Sequence, residues 1–252
     1  TVSATGAVAL LCVLTAGPAT ADEIRNSQWP LQQYQVAKSV WTKSKGEGVT
    51  VAVIDTGVNA SHPDLVGQVL PGKDFTAAGG DGRIDQIGHG TGMASLIAGH
   101  GHGVGEGISG LAPEAKILPV RIGLRKGAGD RMPRLAPGGN EEQLADAIRY
   151  SVDQGADVIS VSIAGVSSQP AVREAVGYAI EKDVVVVAAA GNGGKPDVEY
   201  PAAYPGVVAV GAVTVEGKLW KGSNYGPEIA LTAPGEEVIY AVRDSATTGY
   251  GW

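Results

Sequence analysis

The sequence predicts an α/β fold in three layers, a largely parallel sheet with helices on both faces. Three observations predict it. Short continuous apolar runs alternate along the chain with longer segments of helical periodicity. The run Val49–Ile54 is apolar at all but Thr50 rather than at every second position, the pattern of a parallel strand buried on both faces. Glycine, 38 of 252 residues, gathers at the turns between segments, where tight backbone conformations are needed. Strands alternating with helices imply right-handed crossovers, which place helices on both sides of the sheet. The length suits one α/β domain or two small ones, and a hydrophobic share of 44% suffices for a packed core. No boundary or internal repeat divides the chain.

The elements follow in order. Ala7 to Ala16 is an apolar run closed by Gly17-Pro18-Ala19-Thr20-Ala21 and then Asp22-Glu23. It reads as the core of a signal peptide with cleavage after Ala21, and it is shorter than the ~20 apolar residues that span a bilayer. The other reading is a buried strand or helix. The chain starts at Thr1 with no Lys or Arg before the run. The expectation is therefore a partial signal peptide at 1–21, a single domain at 22–252, and a secreted protein. Cys12 lies in that run without the small residue that precedes a lipid-attachment cysteine, so the mature chain is expected to hold no disulfide. Pro30–Trp41 reads as a helix, ended by Gly46-Glu47-Gly48, and Val49–Ile54 as a strand. Gly88–Ala98 reads as a helix with Met93, Ala94, Ile97 and Ala98 inward, and Ala115–Ile122 as a strand. Glu141–Gln154 is an amphipathic helix ended by Gly155. Val158–Ile163 is a strand, Ala171–Lys182 a helix, and Val184–Ala190 and Val207–Val213 are strands. Gly123–Asn140, with Arg125, Lys126, Arg131 and Arg134 among glycines and prolines, is a long irregular stretch. It reads as a solvated surface loop, or more sharply as a loop bordering a substrate cleft.

Charge and composition exclude some partners. A net charge of −7 argues against nucleic acid, which needs a basic face. One Phe in the chain leaves no stacking platform for single strands.

Two short motifs carry chemistry. Val51-Ala52-Val53-Ile54-Asp55-Thr56-Gly57 puts a carboxylate at the end of an apolar strand, and Gly88-His89-Gly90-Thr91-Gly92 puts an imidazole where a helix opens. Each alone is also an ordinary turn signal. Together, in this order, they are two of the three members of a Ser-His-Asp arrangement. Val184–Ala190 ends in Gly191-Asn192, and Thr232-Ala233-Pro234-Gly235 forms a further turn. These four segments, in order from Val36 to Trp252, resemble the subtilisin-like serine proteases. The lead-in, Ile24 to Trp29 and Ala37 to Trp41, is similar to the actinobacterial mycosin-like branch.

The resemblance implies roles. Asp55 orients His89, His89 is the general base, and Asn192 donates its side-chain amide to the oxyanion. Ser162, Ile163, Ala164 and Gly165 resemble the stretch that pairs with extended substrate backbone, and Ala189, Ala190 and Gly191 the opposite wall. Ala164 stands where the family usually has glycine and narrows the first pocket. Strand-like pairing would hold peptides through their main chain. No cofactor or metal is expected. His100, His102 and Glu106 lie among glycines without helical pairing of ligands, and the oxygen ligands of a calcium loop are missing. Gly101 to Gly105 follows no strand and is not a dinucleotide fingerprint. His62, in Ser61-His62-Pro63-Asp64-Leu65, reads as structural.

The sequence departs from the family at the nucleophile. No Gly-Thr-Ser occurs, and Ser95, Ser109, Ser223 and Ser245 lack its context. In the family that motif follows the Ala-Pro-Gly turn at a spacing that falls just past Trp252. The expectation is a serine endopeptidase domain that stops short of its serine. The 252 residues would then be inactive, and an apolar sheet face would lack its covering helix. There is also no room for a propeptide between the cleavage site and the first helix of the domain. Peptide or protein substrates and a monomeric state are expected; a membrane anchor would have to lie in a further C-terminal segment. The competing readings are an inactive peptide-binding module and a nucleotide-binding α/β domain. The latter lacks a phosphate-cradling loop after the first strand.

Overall fold

A computed structural model describes residues 22–103, 105–125, 134–135, 141–163, 166–242 and 248–251. In chain order these form helices α1 (Asp22–Asn26), α2 (Trp29–Gln33) and α3 (Val36–Ser39), strands β1 (Thr50–Asp55) and β2 (Lys73–Asp74), helix α4 (His89–Ala98), and strands β3 (Lys116–Arg121), β4 (Leu124–Arg125) and β5 (Arg134–Leu135). Helix α5 (Glu141–Asp153), strand β6 (Val158–Val161), helix α6 (Pro170–Glu181) and strands β7 (Val185–Ala189), β8 (Val208–Val213), β9 (Ile229–Pro234), β10 (Val238–Ala241) and β11 (Thr248–Gly251) follow. The segment 1–21 and most of the loop 126–140 fall outside the described residues.

Seven strands make one parallel sheet in the order β2-β3-β1-β6-β7-β8-β9. The unbroken apolar stretch Val51–Ile54 of β1 has a direct cause. Ala52 and Ile54 pack in one core with Leu144, Ala147 and Ile148 of α5 and Val172 and Val176 of α6. Val51 and Val53 pack in another with Ala94 and Ala98 of α4. The result is three layers, the α/β arrangement expected from the sequence. The α5 stripe Leu144, Ala147, Ile148 and Ser151 is buried at helical spacing, and Gly155 takes the left-handed conformation just past its end (φ +76°).

From β1 the chain builds the sheet first toward β3 and later toward β6. The strand order therefore reverses at β1, and in open α/β sheets ligands bind at the carboxyl ends of strands at such a point. Asp55 is the last residue of β1. On the far half of the sheet, Ile159, Val161, Val186 and Ala209 face α5 and α6. The opposite face, with Ser160, Val187, Ala189, Val210 and Ala212, lines an open cavity of about 800 Å³ that reaches His89.

Beyond the short edge strand β2 and the two-residue antiparallel pair β4–β5 inside the stretch read as irregular, the structure differs from the sequence expectation in three further places. The helix expected over Pro30–Trp41 is two short helices broken at Gln35, which adopts φ 48°. Val36 is buried but Tyr34 and Val40 are exposed, and a short helix without a buried face has little to hold it straight. Second, β9 runs through the segment read as a turn. It is an edge strand with Leu231 60% exposed, so it shows neither alternation nor a continuous buried run. Third, β10 and β11 form an antiparallel pair with no counterpart in the sequence reading.

The segment before the sheet is tied down by side chains. Gln28 is buried; its Nε2 donates to Ser109 O (2.8 Å) and its Oε1 accepts from Ser109 N (2.9 Å). Trp29 Nε1 donates to Glu236 O at 3.1 Å, beside β10. Asp64, 1% exposed, accepts from Ile108 N (2.9 Å) and is paired with His102 Nδ1 (2.6 Å). Buried His62 accepts from Asp64 N through Nδ1 (3.2 Å). Replacing His102 with alanine removes one of the partners of a buried carboxylate. That is expected to cost about 1–3 kcal/mol, read as a fall of several degrees in Tm; an unchanged Tm would show that the pair adds nothing.

Candidate active site

His89 is the first residue of α4, set there by Gly88 in the left-handed conformation (φ 102°). A side chain at Gly90 would collide with the carbonyl oxygen of Gly57. The glycine lets the start of α4 lie directly on the turn after β1. That contact brings His89 Nδ1 to 2.9 Å from Asp55 Oδ1 and 2.8 Å from Oδ2. Asp55 is fully buried, and its Oδ1 also accepts from Thr56 N at 2.7 Å. An ionised carboxylate only accepts, so Nδ1 carries the proton and the neutral ring keeps its lone pair on Nε2. The imidazole is 18% exposed and lines the cavity. Burial opposes its protonation, but the charge and hydrogen bond of Asp55, with the charge of Asp85, outweigh burial. His89 therefore holds its proton to higher pH than an ordinary histidine, whose pKa is about 6.5.

Ser162, Ala189, Ala190, Gly191 and Asn192 line the same cavity. Ile163 does not; it is buried in the core shared with α5 and α6, so only its main chain is available to a peptide. Ala164 and Gly165 lie outside the described residues. Asn192 sits in the turn after β7, next to Gly191 at φ 111°. Buried Asn224 holds that turn. Its Oδ1 accepts from Gly193 N (2.8 Å), and its Nδ2 donates to Asp197 O (2.8 Å) and Ala190 O (3.3 Å). The sequence reading missed Asn224, since Gly222-Ser223-Asn224 signals a loop and nothing local shows that it reaches back to Gly193. It also missed Asp85, although an Asp just before a helix start is a readable capping signal.

His100 Nε2 is bonded to Val66 O (2.9 Å), away from His102, whose Nδ1 is held by Asp64 (2.6 Å) and whose Nε2 lies 4.0 Å from Glu106 Oε2. Among the described residues, no helix is long and apolar enough to cross a membrane.

Comparison with known proteins agrees with this geometry. The Peptidase S8 model, the subtilase family, matches residues 46–251. The chain is 42% identical over 213 residues to the major intracellular serine protease of Bacillus subtilis (strain 168), covering 81% of this chain and 63% of that protein. It is 37% identical over 216 residues to thermitase of Thermoactinomyces vulgaris, covering 84% and 71%. It is 33% identical over 235 residues to the minor extracellular protease Epr of Bacillus subtilis (strain 168), covering 90% and 32%. Among solved structures, the prenylagaramide maturation protease PagA superimposes with a TM-score of 0.68 at 26% identity, covering 84% of this chain and 72% of that one. The chain spans less than two thirds of the Bacillus subtilis intracellular protease (63%) and of the Paenibacillus polymyxa intracellular serine protease (62%). With the family model matching most of its length, and with aspartate and histidine paired at the reversal point of a parallel sheet, this chain belongs to the subtilase family.

Proposed function

We propose that this chain is part of a secreted serine endopeptidase, with Asp55 and His89 acting on a serine that lies beyond residue 252. The observation that carries the reading is the two-oxygen contact of Asp55 with His89 Nδ1, at the edge of a cavity that also contains Asn192. A peptide would lie extended between Ser162 and the Ala189–Gly191 wall, held by main-chain hydrogen bonds. As the serine oxygen attacks the peptide carbonyl carbon, His89 Nε2 takes the hydroxyl proton. Asp55 stabilises the imidazolium, and Asn192 donates to the oxyanion. The imidazolium then protonates the leaving amine, and water repeats the sequence on the acyl-enzyme.

The open face of β6–β8 supports the placement of the serine. It is a trough beside α4 that a helix beginning at the nucleophile would fill. By this reading the 252 residues alone do not hydrolyse peptides. Secretion rests on the signal-like run before Asp22. The absence of Gly-Thr-Ser within the sequence favours a second reading, a peptide-binding module that keeps the groove without the serine.

The test is to read the gene past codon 252, express the continued frame, and assay peptide hydrolysis with and without a serine-directed phosphonate. A Gly-Thr-Ser followed by an apolar helix, with phosphonate-sensitive hydrolysis, is the expected result. A stop codon or a motif lacking its serine overturns the enzyme reading in favour of the module. In the active protein, Asn192→Ala is expected to lower kcat by about 10²–10³ with KM little changed. An unchanged kcat would remove Asn192 from the oxyanion site.

A further inference from the structure

We propose that Asp85 is a positioning residue for the Asp55–His89 pair: its buried carboxylate fixes the two threonine hydroxyls that lace the end of β1 to the start of α4, and sets a second negative charge close to the imidazole.

Asp85 belongs to neither motif. It lies in the loop before α4 and is 7% exposed. Its Oδ1 accepts from Thr56 Oγ1 (2.8 Å), Ile87 N (3.0 Å) and Gly88 N (2.7 Å). Its Oδ2 accepts from Thr91 N (2.9 Å) and Thr91 Oγ1 (2.7 Å). Because a carboxylate offers no proton, both hydroxyls must donate to it. Their lone pairs are then aimed elsewhere. Thr56 Oγ1 accepts from Gly90 N (2.9 Å), and Thr91 Oγ1 accepts from Asn59 N (3.0 Å). Thr56 follows Asp55, and Gly90 follows His89. The residues after the two members of the pair are therefore joined through the Thr56 hydroxyl, which the Asp85 carboxylate orients.

The bland account is a helix cap. A cap satisfies one or two backbone donors, and Asn serves there about as well as Asp. Asp85 does more, since it receives two side-chain hydroxyls from the two motifs that meet at the site. Among the described residues it has no cationic partner. The other charged groups near His89 are accounted for separately. Asp55 holds Nδ1. Arg121, packed near Gly57, is paired with Asp74 at 2.9 Å. Lys221 and Glu236 lie elsewhere along the cavity wall. Asp85 thus acts on His89 as a buried, hydrogen-bonded carboxylate with no cationic partner among the described residues, in the direction that favours the imidazolium.

The experiment is an NMR titration of the His89 imidazole in the 252-residue chain, for the wild type, Asp85→Asn and Asp85→Glu. Asn keeps the shape and an acceptor but not the charge. The proposal expects the midpoint in Asp85→Asn to move to lower pH and that in Asp85→Glu to stay nearer the wild type. A cap alone predicts the same midpoint in all three, whatever happens to Tm, and that result overturns the proposal. If Asp85→Asn does not fold, the wild type provides the second reading. The hydroxyl protons of Thr56 and Thr91 should exchange slowly and show cross-peaks to the Gly90 and Asn59 amide protons. Freely exchanging hydroxyls would overturn it. The kinetic consequence, an acid limb of kcat/KM that moves with Asp85, rests on His89 being the general base. The titration needs no hydrolysis, so its failure and a failure of the protease reading are distinguishable.

Discussion

Replacing His89 with alanine, in the protein continued past codon 252, is expected to lower kcat by about 10⁶-fold. That is the order of loss for removal of the triad histidine in subtilisin, a member of the same family. Its cause here is that one ring does two jobs. In the proposed mechanism His89 Nε2 takes the proton of the attacking hydroxyl and returns it to the leaving amine, and no other described imidazole lines the cavity. Base and nucleophile act as a unit, so adding a serine-to-alanine change to His89→Ala should cost almost nothing more. The measurement is kcat on a peptide substrate, with Tm as a control. The control matters because Asp55 would be left fully buried with its charge supported mainly by Thr56 N. A variant that folds and still cleaves at the wild-type rate would remove His89 from the mechanism.

Asp55→Asn is expected to cost about 10⁴-fold in kcat, again a magnitude taken from triad enzymes rather than from this structure. Asparagine fits the space of Asp55, but its amide can donate to Nδ1. The ring then carries its proton on Nε2, where a base needs a lone pair. The loss of charge has a second, separable signature. In the wild type the acid limb of activity should lie above the ordinary histidine value of about 6.5, because Asp55 holds the imidazolium against burial. In Asp55→Asn the residual limb should move to lower pH. The linkage has a fixed sign. A histidine whose folded pKa is raised adds stability that is fully present below its unfolded pKa and is lost as pH rises through the folded one. The Tm difference between wild type and Asp55→Asn due to this pair should therefore be larger at acidic than at alkaline pH. A limb that stays in place would show that Asp55 does not set the basicity of His89.

The parts of this molecule that were legible in the sequence are those whose partners impose a local period. Val51–Ile54 of β1 are all apolar because helices cover both faces of the strand, and α5 shows its stripe because Leu144, Ala147 and Ile148 all face one sheet. The Asp55 and His89 motifs were legible because each needs a special local backbone, a strand end and a glycine-flanked helix start. Where the deciding partner is distant, the pattern carried no signal. β9 is an edge strand paired on one side to β8, so its pattern names neither turn nor strand. Asn224 acts on Gly193 across a long separation in the chain, and Asp85, whose capping signal was local, reaches Thr56 in a way that signal does not show. Ile163 was expected to offer its main chain to a peptide, and alternation along β6 and the residues after it puts the side chains of Ile159, Val161 and Ile163 in the core and leaves Ser160 and Ser162 on the cavity. Counting parity along the strand would have separated them.

The most direct test of the central claim is covalent labelling. The protein expressed through the codons after 252 would be treated with a serine-directed phosphonate, digested, and mapped by mass spectrometry, alongside its His89→Ala variant. The account predicts one adduct, on a serine beyond Trp252, and a loss of labelling in the variant. Peptide hydrolysis that continues without any adduct, or labelling indifferent to His89, would contradict it.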